Sequence, residues 1–89
     1  MELKVTEAFS EKYDSLSDDE AVDVDVALER LRASHDTAWA RRNRVSGDGS
    51  GQWDSAWIIQ IRHRGKVFYL YWRYYEDEIA LVGLVEMDD

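Results

Sequence analysis

Polar side chains suited to binding a phosphate or a base recur at alternate positions of a stretch rich in aromatic and β-branched residues. They are Gln60, Arg62, Arg64, Tyr69, Tyr71 and Arg73. Guanidinium groups form paired hydrogen bonds with phosphate oxygens, and tyrosine rings stack on unpaired bases. This combination points to single-stranded RNA as a ligand. A solvated sheet face is the alternative interpretation, because cross-strand Arg–Tyr pairs also support such faces.

Three strands joined by tight turns must position these side chains. Aromatic and β-branched residues alternate with polar ones over positions 57–86, and we expect two-residue turns at positions 65–66 and 76–77. A two-residue turn fixes the register of a hairpin. We therefore expect Arg62 to lie opposite Tyr69.

Strand alternation divides the other residues of these strands between two faces. The face opposite the polar set is the expected core face, and it collects Ile59, Ile61, His63, Phe68, Leu70, Trp72, Ile79, Leu81, Gly83 and Val85. Ala80, Val82 and Leu84 are expected on the same face as the polar set. His63 is expected to be a packing or rim residue rather than a general base.

Two helices in the N-terminal half are expected to cover the core face. A short strand at 3–5 precedes Thr6, a helix cap, and residues 17–20 fit a capping box in which the side chains of Ser and Glu each satisfy a backbone amide. The second helix has an apolar stripe with helical spacing, formed by Val24, Ala27, Leu28 and Leu31. A helical turn near Trp39 and a flexible Gly/Ser loop over 46–51 are expected to follow it. The predicted fold is α+β, with one sheet and helices on a single face.

The formal net charge of −8 is unevenly distributed along the chain. Residues 1–40 carry −7, residues 41–75 carry +5 and residues 76–89 carry −6. An acidic protein repels polyanions at long range, so the total charge argues against a nucleic-acid partner. The basic segment reverses that argument because it contains the polar set. Surface adaptation for solubility or high salt is the alternative explanation.

Length and composition limit the other possibilities. Eighty-nine residues suffice for one domain, expected over 1–89. The sequence contains no cysteine, which excludes disulfides, thiolate metal sites and a cysteine nucleophile. His35 and Asp36 have no neighbours at a metal-ligand spacing, so neither a metal nor another cofactor is expected. The longest apolar runs are far shorter than the roughly 20 residues that span a bilayer, which favours a cytoplasmic protein with no membrane partner.

The order of elements and three segments resemble the RelE/ParE superfamily of type II toxin–antitoxin toxins. The segments are FSEKYDSLSDDE, ALERLRAS and IQIRHRGKVFYLYWRYYEDEIALVG, and the resemblance covers nearly the whole chain. It implies two N-terminal helices packed on one face of a small antiparallel sheet, in the order β-α-α-β-β-β. It also implies a cognate antitoxin protein as partner, and a toxin that either cuts messenger RNA in the ribosomal A site or inhibits DNA gyrase.

Several residues match the family's pattern and others depart from it. Arg62 matches the family's arginine at a strand end, residues 64–66 match its basic hairpin turn, and Tyr71 matches a strand tyrosine. Tyr69 stands where the family has an arginine, and Glu86-Met87 stand where basic residues are usual. These two departures remove cations that would stabilise charge during catalysis.

The resemblance implies a ribosome-dependent mRNA endoribonuclease that inhibits translation and needs no metal, because the 2′-hydroxyl attacks the adjacent phosphate. On this basis Arg62 and Arg73 are expected to hold the phosphate, with Tyr69 or Tyr71 transferring a proton or stacking. The expected nucleic-acid-binding residues are Arg41, Arg42, Arg44, Gln60, Arg64 and Lys66. A non-catalytic binding module with a toxin-like fold and a gyrase-inhibiting toxin are the alternatives.

Overall fold

The computed structural model describes residues 1–45 and 55–88. The secondary-structure elements, in chain order, are β1 (Leu3–Val5), α1 (Glu7–Asp14), α2 (Asp18–Ser34), α3 (Ala38–Arg41), β2 (Asn43–Arg44), β3 (Trp57–His63), β4 (Lys66–Tyr75) and β5 (Glu78–Asp88). The predicted α+β class and the two N-terminal helices, the first of them short, are confirmed, as is the helical turn that contains Trp39. The Gly/Ser loop expected over 46–51 lies outside the described residues.

The sheet has five strands in the order β1-β5-β4-β3-β2. Strands β2 to β5 pair in antiparallel fashion, whereas β1 pairs with β5 in parallel, with Leu3 opposite Ile79. The expectation of an antiparallel sheet is therefore wrong at β1, and the two-residue strand β2 was not anticipated. The helices and three antiparallel strands separate β1 from β5 in the chain, so no tight turn constrains these two strands to pair in antiparallel fashion.

Both helix caps form as the sequence predicts. The Thr6 hydroxyl accepts a hydrogen bond from the amide of Phe9 and donates one to the carbonyl of Leu81 at 2.7 Å, which ties the start of α1 to β5. Ser17 and Glu20 form the complete capping box at the start of α2. These caps fix where each helix begins relative to the sheet.

The helices pack on one face of the sheet and form a continuous core with it. The buried residues of this core are Phe9, Val24, Ala27, Leu31, Ala40, Ile59, Ile61, Phe68, Leu70, Trp72, Ile79, Leu81 and Leu84. Trp72 lies at its centre, fully buried, and its indole N–H donates to the carbonyl of Ala40 at 2.9 Å. None of the helices in the described parts of the chain has the length and apolar character needed to cross a membrane.

The β3–β4 hairpin has a different register from the expected one. Arg62 lies opposite Val67 rather than Tyr69, and Gln60 lies opposite Tyr69. The turn comprises residues 64–65 instead of 65–66, so every pair shifts by two residues. A shift of two leaves each side chain on its expected face, because side chains alternate with a period of two.

A β-bulge changes the second half of β5. Tyr71 pairs with Gly83 while Trp72 pairs with Leu81, so Val82 is an extra residue on β5. Beyond this point the faces exchange. Leu84 consequently enters the core and Val85 lies opposite Tyr69, which corrects the expected placement of Gly83, Leu84 and Val85.

Candidate nucleic-acid interface

One face of the sheet faces away from the helices, and we call it the open face. Its residues from the three longest strands include Ile58, Gln60, Arg62, Val67, Tyr69, Tyr71, Arg73, Tyr75, Glu78, Ala80, Gly83, Val85 and Met87. No helix in the described residues packs on this face, because the core formed with the helices lies on the opposite side. The predicted polar set is therefore brought together on one surface, except for Arg64 in the turn.

Arg62 and Arg73 lie at opposite ends of the open face. Arg62 pairs with Val67, which precedes Arg73 by six positions on the same strand. At about 3.3 Å per residue, the two arginine positions are about 20 Å apart. This separation favours contacts with two distant phosphates of an extended strand, and the catalytic roles expected of the two arginines stay predictions.

The two tyrosines expected to take part in catalysis lie between these arginines. Tyr69 and Tyr71 are both half-buried and project from β4 on the same side. Burial raises the pKa of Tyr71 above 10, and the nearby Tyr69 raises this pKa further. The Tyr71 phenol therefore stays protonated at neutral pH, which suits a hydrogen-bond donor or acid and not a base.

The first turn of α2 neutralises the basic hairpin turn. Lys66 lies on the helix-covered side, with its ammonium 2.7 Å from the Glu20 carboxylate, and Arg64 lies 3.3 Å from the carboxylate of Asp19. Two of the predicted nucleic-acid contacts are thus directed toward acidic side chains of the helix. The structure does not bring Lys66 onto the open face.

The arginines before β2 have separate local roles. Arg41 donates to the carbonyl of His35 at 3.0 Å and to the Tyr74 hydroxyl, and its guanidinium stacks on the Trp57 ring with 5.4 Å to the centroid. Arg44 lies over the same indole at 4.8 Å. Both arginines therefore pack against aromatic side chains at one end of the sheet.

Arg42 belongs to a groove along the edge of β3. The groove has a volume of about 540 Å³ and is lined by Trp39, Arg42, Asn43, Ile58, Ile59, Gln60 and Arg62. It joins Arg42 to two members of the polar set. Neither Trp39 nor Asn43 could be placed beside them from the sequence, since β2 is too short to recognise from its pattern.

His63 lies at the rim of the core face, as expected. Its Nδ1 is 2.5 Å from the carboxylate of Asp23 on α2. In the part of the chain that the structure describes, no cluster of three or more His, Cys, Asp or Glu side chains could hold a metal ion.

The fold and the interface together define a small α+β protein with a helix-covered sheet and a basic, tyrosine-rich opposite face. Comparison with protein-family models, with curated proteins and with solved structures finds no match to this chain.

Proposed function

We propose that this protein is the toxin of a type II toxin–antitoxin system and that its open face binds single-stranded messenger RNA on the ribosome. The observation that carries the proposal is the row of tyrosines on β4, with Arg62 at one end and Arg73 at the other. Aromatic rings stack on bases without strong sequence preference, while arginines contact phosphates. The row is about 20 Å long, which suits an extended strand.

The uneven distribution of charge over the molecule also favours approach of RNA to the open face. The acidic residues of α2 lie on the side of the molecule away from the open face, and three of them, Asp19, Glu20 and Asp23, contact the hairpin. A polyanion is repelled by the helical side and attracted to the side that carries Arg62 and Arg73. The net negative charge is thus compatible with an RNA ligand at this surface.

Cleavage of the bound RNA is the more specific form of the proposal. The 2′-hydroxyl of one nucleotide attacks the adjacent phosphate and releases its proton to water, the bond to the 5′-oxygen breaks, and a 2′,3′-cyclic phosphate forms. The protonated phenol of Tyr71 is suited to give its proton to the leaving 5′-oxygen. A single arginine would stabilise the phosphate in this arrangement, because Arg62 and Arg73 are too far apart to share it.

A non-catalytic binding module is the second candidate. The neutralised hairpin favours it, because Lys66 and Arg64 pair with acidic residues of α2 and do not add positive charge to the open face. Such a module would bind through the open face, or would present the acidic helical side to a basic protein.

A growth assay combined with RNA binding tests the proposal. We expect expression of the parent to slow growth, co-expression of the antitoxin to restore it, and the double variant Arg62→Ala/Arg73→Ala to lose both toxicity and binding of a single-stranded oligonucleotide. Arg32→Ala is the matched control, because Arg32 is an exposed arginine of α2 that pairs only weakly with Glu29 at 3.8 Å.

The outcomes separate the candidates. Equal toxicity of the parent and the double variant would remove the open face as the toxic site. RNA binding that depends on both arginines, without toxicity or cleavage, would favour the binding module. A parent that binds no RNA at low salt would overturn the RNA proposal, since electrostatic binding is strongest there.

A further inference from the structure

A pocket at the end of the open face farthest from Arg62 involves residues that the sequence did not single out. Its volume is about 300 Å³, and its described lining residues are Lys4, Thr6, Arg73, Tyr75, Ala80 and Val82. Two of these residues are cations and none is a carboxylate. The pocket extends the open face across β5 to β1.

The strand register explains why a pocket forms there. Ala80 on β5 pairs with Lys4 on β1 and with Arg73 on β4, so the three residues form one row across the sheet. Adjacent strands are about 4.8 Å apart, which separates the backbones of Lys4 and Arg73 by about 10 Å. The small side chain of Ala80 makes a low floor, and the two long cationic side chains stand on either side of it.

Tyr75 positions one of the two cations. The Lys4 ammonium lies 4.5 Å from the centroid of the Tyr75 ring, within the range of a cation–π contact. Lys4 is otherwise exposed, and an exposed lysine loses considerable rotamer entropy when it binds an anion. The ring reduces that cost because it already holds the ammonium beside the pocket.

We propose that this pocket binds one phosphate group of the RNA, held between the ammonium of Lys4 and the guanidinium of Arg73, with Tyr75 as a positioning residue. The proposal rests on the proposed function, because it assigns a phosphate subsite within the same open face. Charge complementarity identifies the ligand: two cations flank a small uncharged floor of suitable size. A bound strand would therefore extend past Tyr71 to the edge of the sheet at β1.

Salt dependence of RNA binding measures how many phosphates the two cations contact. The logarithm of the affinity for a single strand falls with the logarithm of salt concentration, with a slope of about −0.7 for each neutralised phosphate. We expect Lys4→Ala to raise the Kd for RNA about fivefold, which corresponds to the upper end of the range of free energies measured for exposed ion pairs. We expect the double variant Lys4→Ala/Arg73→Ala to reduce the magnitude of the slope by about 0.7.

The alternatives give different slopes. If the double variant reduces the magnitude of the slope by about 1.4, the two cations bind separate phosphates. If the slope does not change, they bind none. Either result overturns the shared site. Lys12→Ala is the control for charge, because Lys12 pairs with Glu86 at 3.2 Å on the helical side; an effect equal to that of Lys4→Ala would reveal only a general charge effect.

Two further measurements separate this proposal from the one on which it rests. The methyl resonance of Ala80 should shift when RNA binds, and it should also shift when inorganic phosphate alone is added. If the resonance does not move when RNA is bound, the phosphate subsite is overturned, whereas the proposal that the open face binds RNA is not. Tyr75→Phe should keep the affinity and Tyr75→Ala should lower it, because the ring and not the hydroxyl positions Lys4. Equal loss in both variants would contradict the positioning role. A parent that binds no RNA would remove both proposals together.

Discussion

The ammonium of Lys66 lies 2.7 Å from one carboxylate oxygen of Glu20, and this ion pair joins the first turn of α2 to the first residue of β4. The other oxygen of Glu20 accepts a hydrogen bond from the Ser17 amide at 2.9 Å. Glu20 is only 8% exposed. One carboxylate therefore caps a helix and attaches that helix to the sheet, so the sequence signal for the cap also marks a tertiary contact.

Protonation of the Glu20 carboxylate should make the free energy of unfolding depend on pH in the acidic range. The hydrogen bond from Lys66, followed by that from the Ser17 amide, lowers the pKa of Glu20 from 4.5 to about 2, although burial opposes the shift. A carboxyl whose folded pKa is depressed stabilises the fold fully above its unfolded pKa and loses that contribution as pH falls through its folded pKa. The affected window is therefore from about pH 4.5 down to about pH 2.

Urea unfolding across that window tests the prediction. Glu20→Gln should be less stable than the parent at pH 7 and should lose less stability than the parent between pH 4.5 and pH 2. Glu29→Gln is the control, because Glu29 is exposed and its pair with Arg32 is 3.8 Å long. Parallel pH profiles for the parent and Glu20→Gln would contradict the assignment.

The indole nitrogen of Trp72 should contribute strongly to folding. Its N–H donates to the Ala40 carbonyl inside the core, and Trp72→Phe removes both the donor and part of the ring. An unsatisfied buried carbonyl costs about 1–3 kcal/mol, and the cavity adds to that cost. We expect a loss of about 2–4 kcal/mol in the free energy of unfolding, measured by urea denaturation. A loss below about 1 kcal/mol would mean that water or a backbone shift replaces the bond.

The division of the strands into two faces could be predicted from the sequence because alternation survives an error in register. The misplaced first turn moved Arg62 from Tyr69 to Val67, yet both partners lie on the open face. Where an extra residue interrupts the alternation, the prediction fails. The bulge at Val82 is such a point; the adjacent Gly83 is a sequence signal for a bulge, but the alternation of side chains does not include it.

Contacts between distant segments could not be predicted for a different reason. The strand β1 contains only three residues, and neither its partner nor its direction is encoded in a three-residue pattern. Lys4 therefore had no assigned neighbours until the pairing with β5 placed it across Ala80 from Arg73. The ion pair between Lys66 and Glu20 could not be predicted either, because the capping box alone accounts for a glutamate at this position.

The β4–β5 turn should be stabilised by glycine. Glu76 has φ 56°, in the left-handed region that disfavours residues with a Cβ atom. Glu76→Gly removes that strain, and the greater entropy of glycine in the unfolded chain offsets part of the benefit. We therefore expect the free energy of unfolding, measured by thermal denaturation, to rise by about 0.5–1 kcal/mol. Asp77→Gly is the matched control, because Asp77 is not among the residues with positive φ and should only lose stability. Destabilisation by both substitutions would contradict the prediction.

The separation of Arg62 from Arg73 predicts how their contributions to RNA binding combine. Substitutions more than about 7–10 Å apart usually have additive free energies, within about 0.5 kcal/mol. Because the two arginines are about 20 Å apart on the open face, the double variant Arg62→Ala/Arg73→Ala should weaken binding by the sum of the single effects. Lys4 and Arg73, which share one row with Ala80, should instead show clear coupling.

Two double-mutant cycles, measured by fluorescence anisotropy with the same single-stranded oligonucleotide, make this comparison. The parent and all variants are assayed at one salt concentration, since affinity changes steeply with salt. Strong coupling between Arg62 and Arg73 would mean that they meet at one phosphate, which requires a much more sharply curved sheet. Additive effects of Arg62 and Arg73, together with coupling between Lys4 and Arg73, would mean that the RNA lies extended across the open face, from Arg62 on β3 to Lys4 on β1.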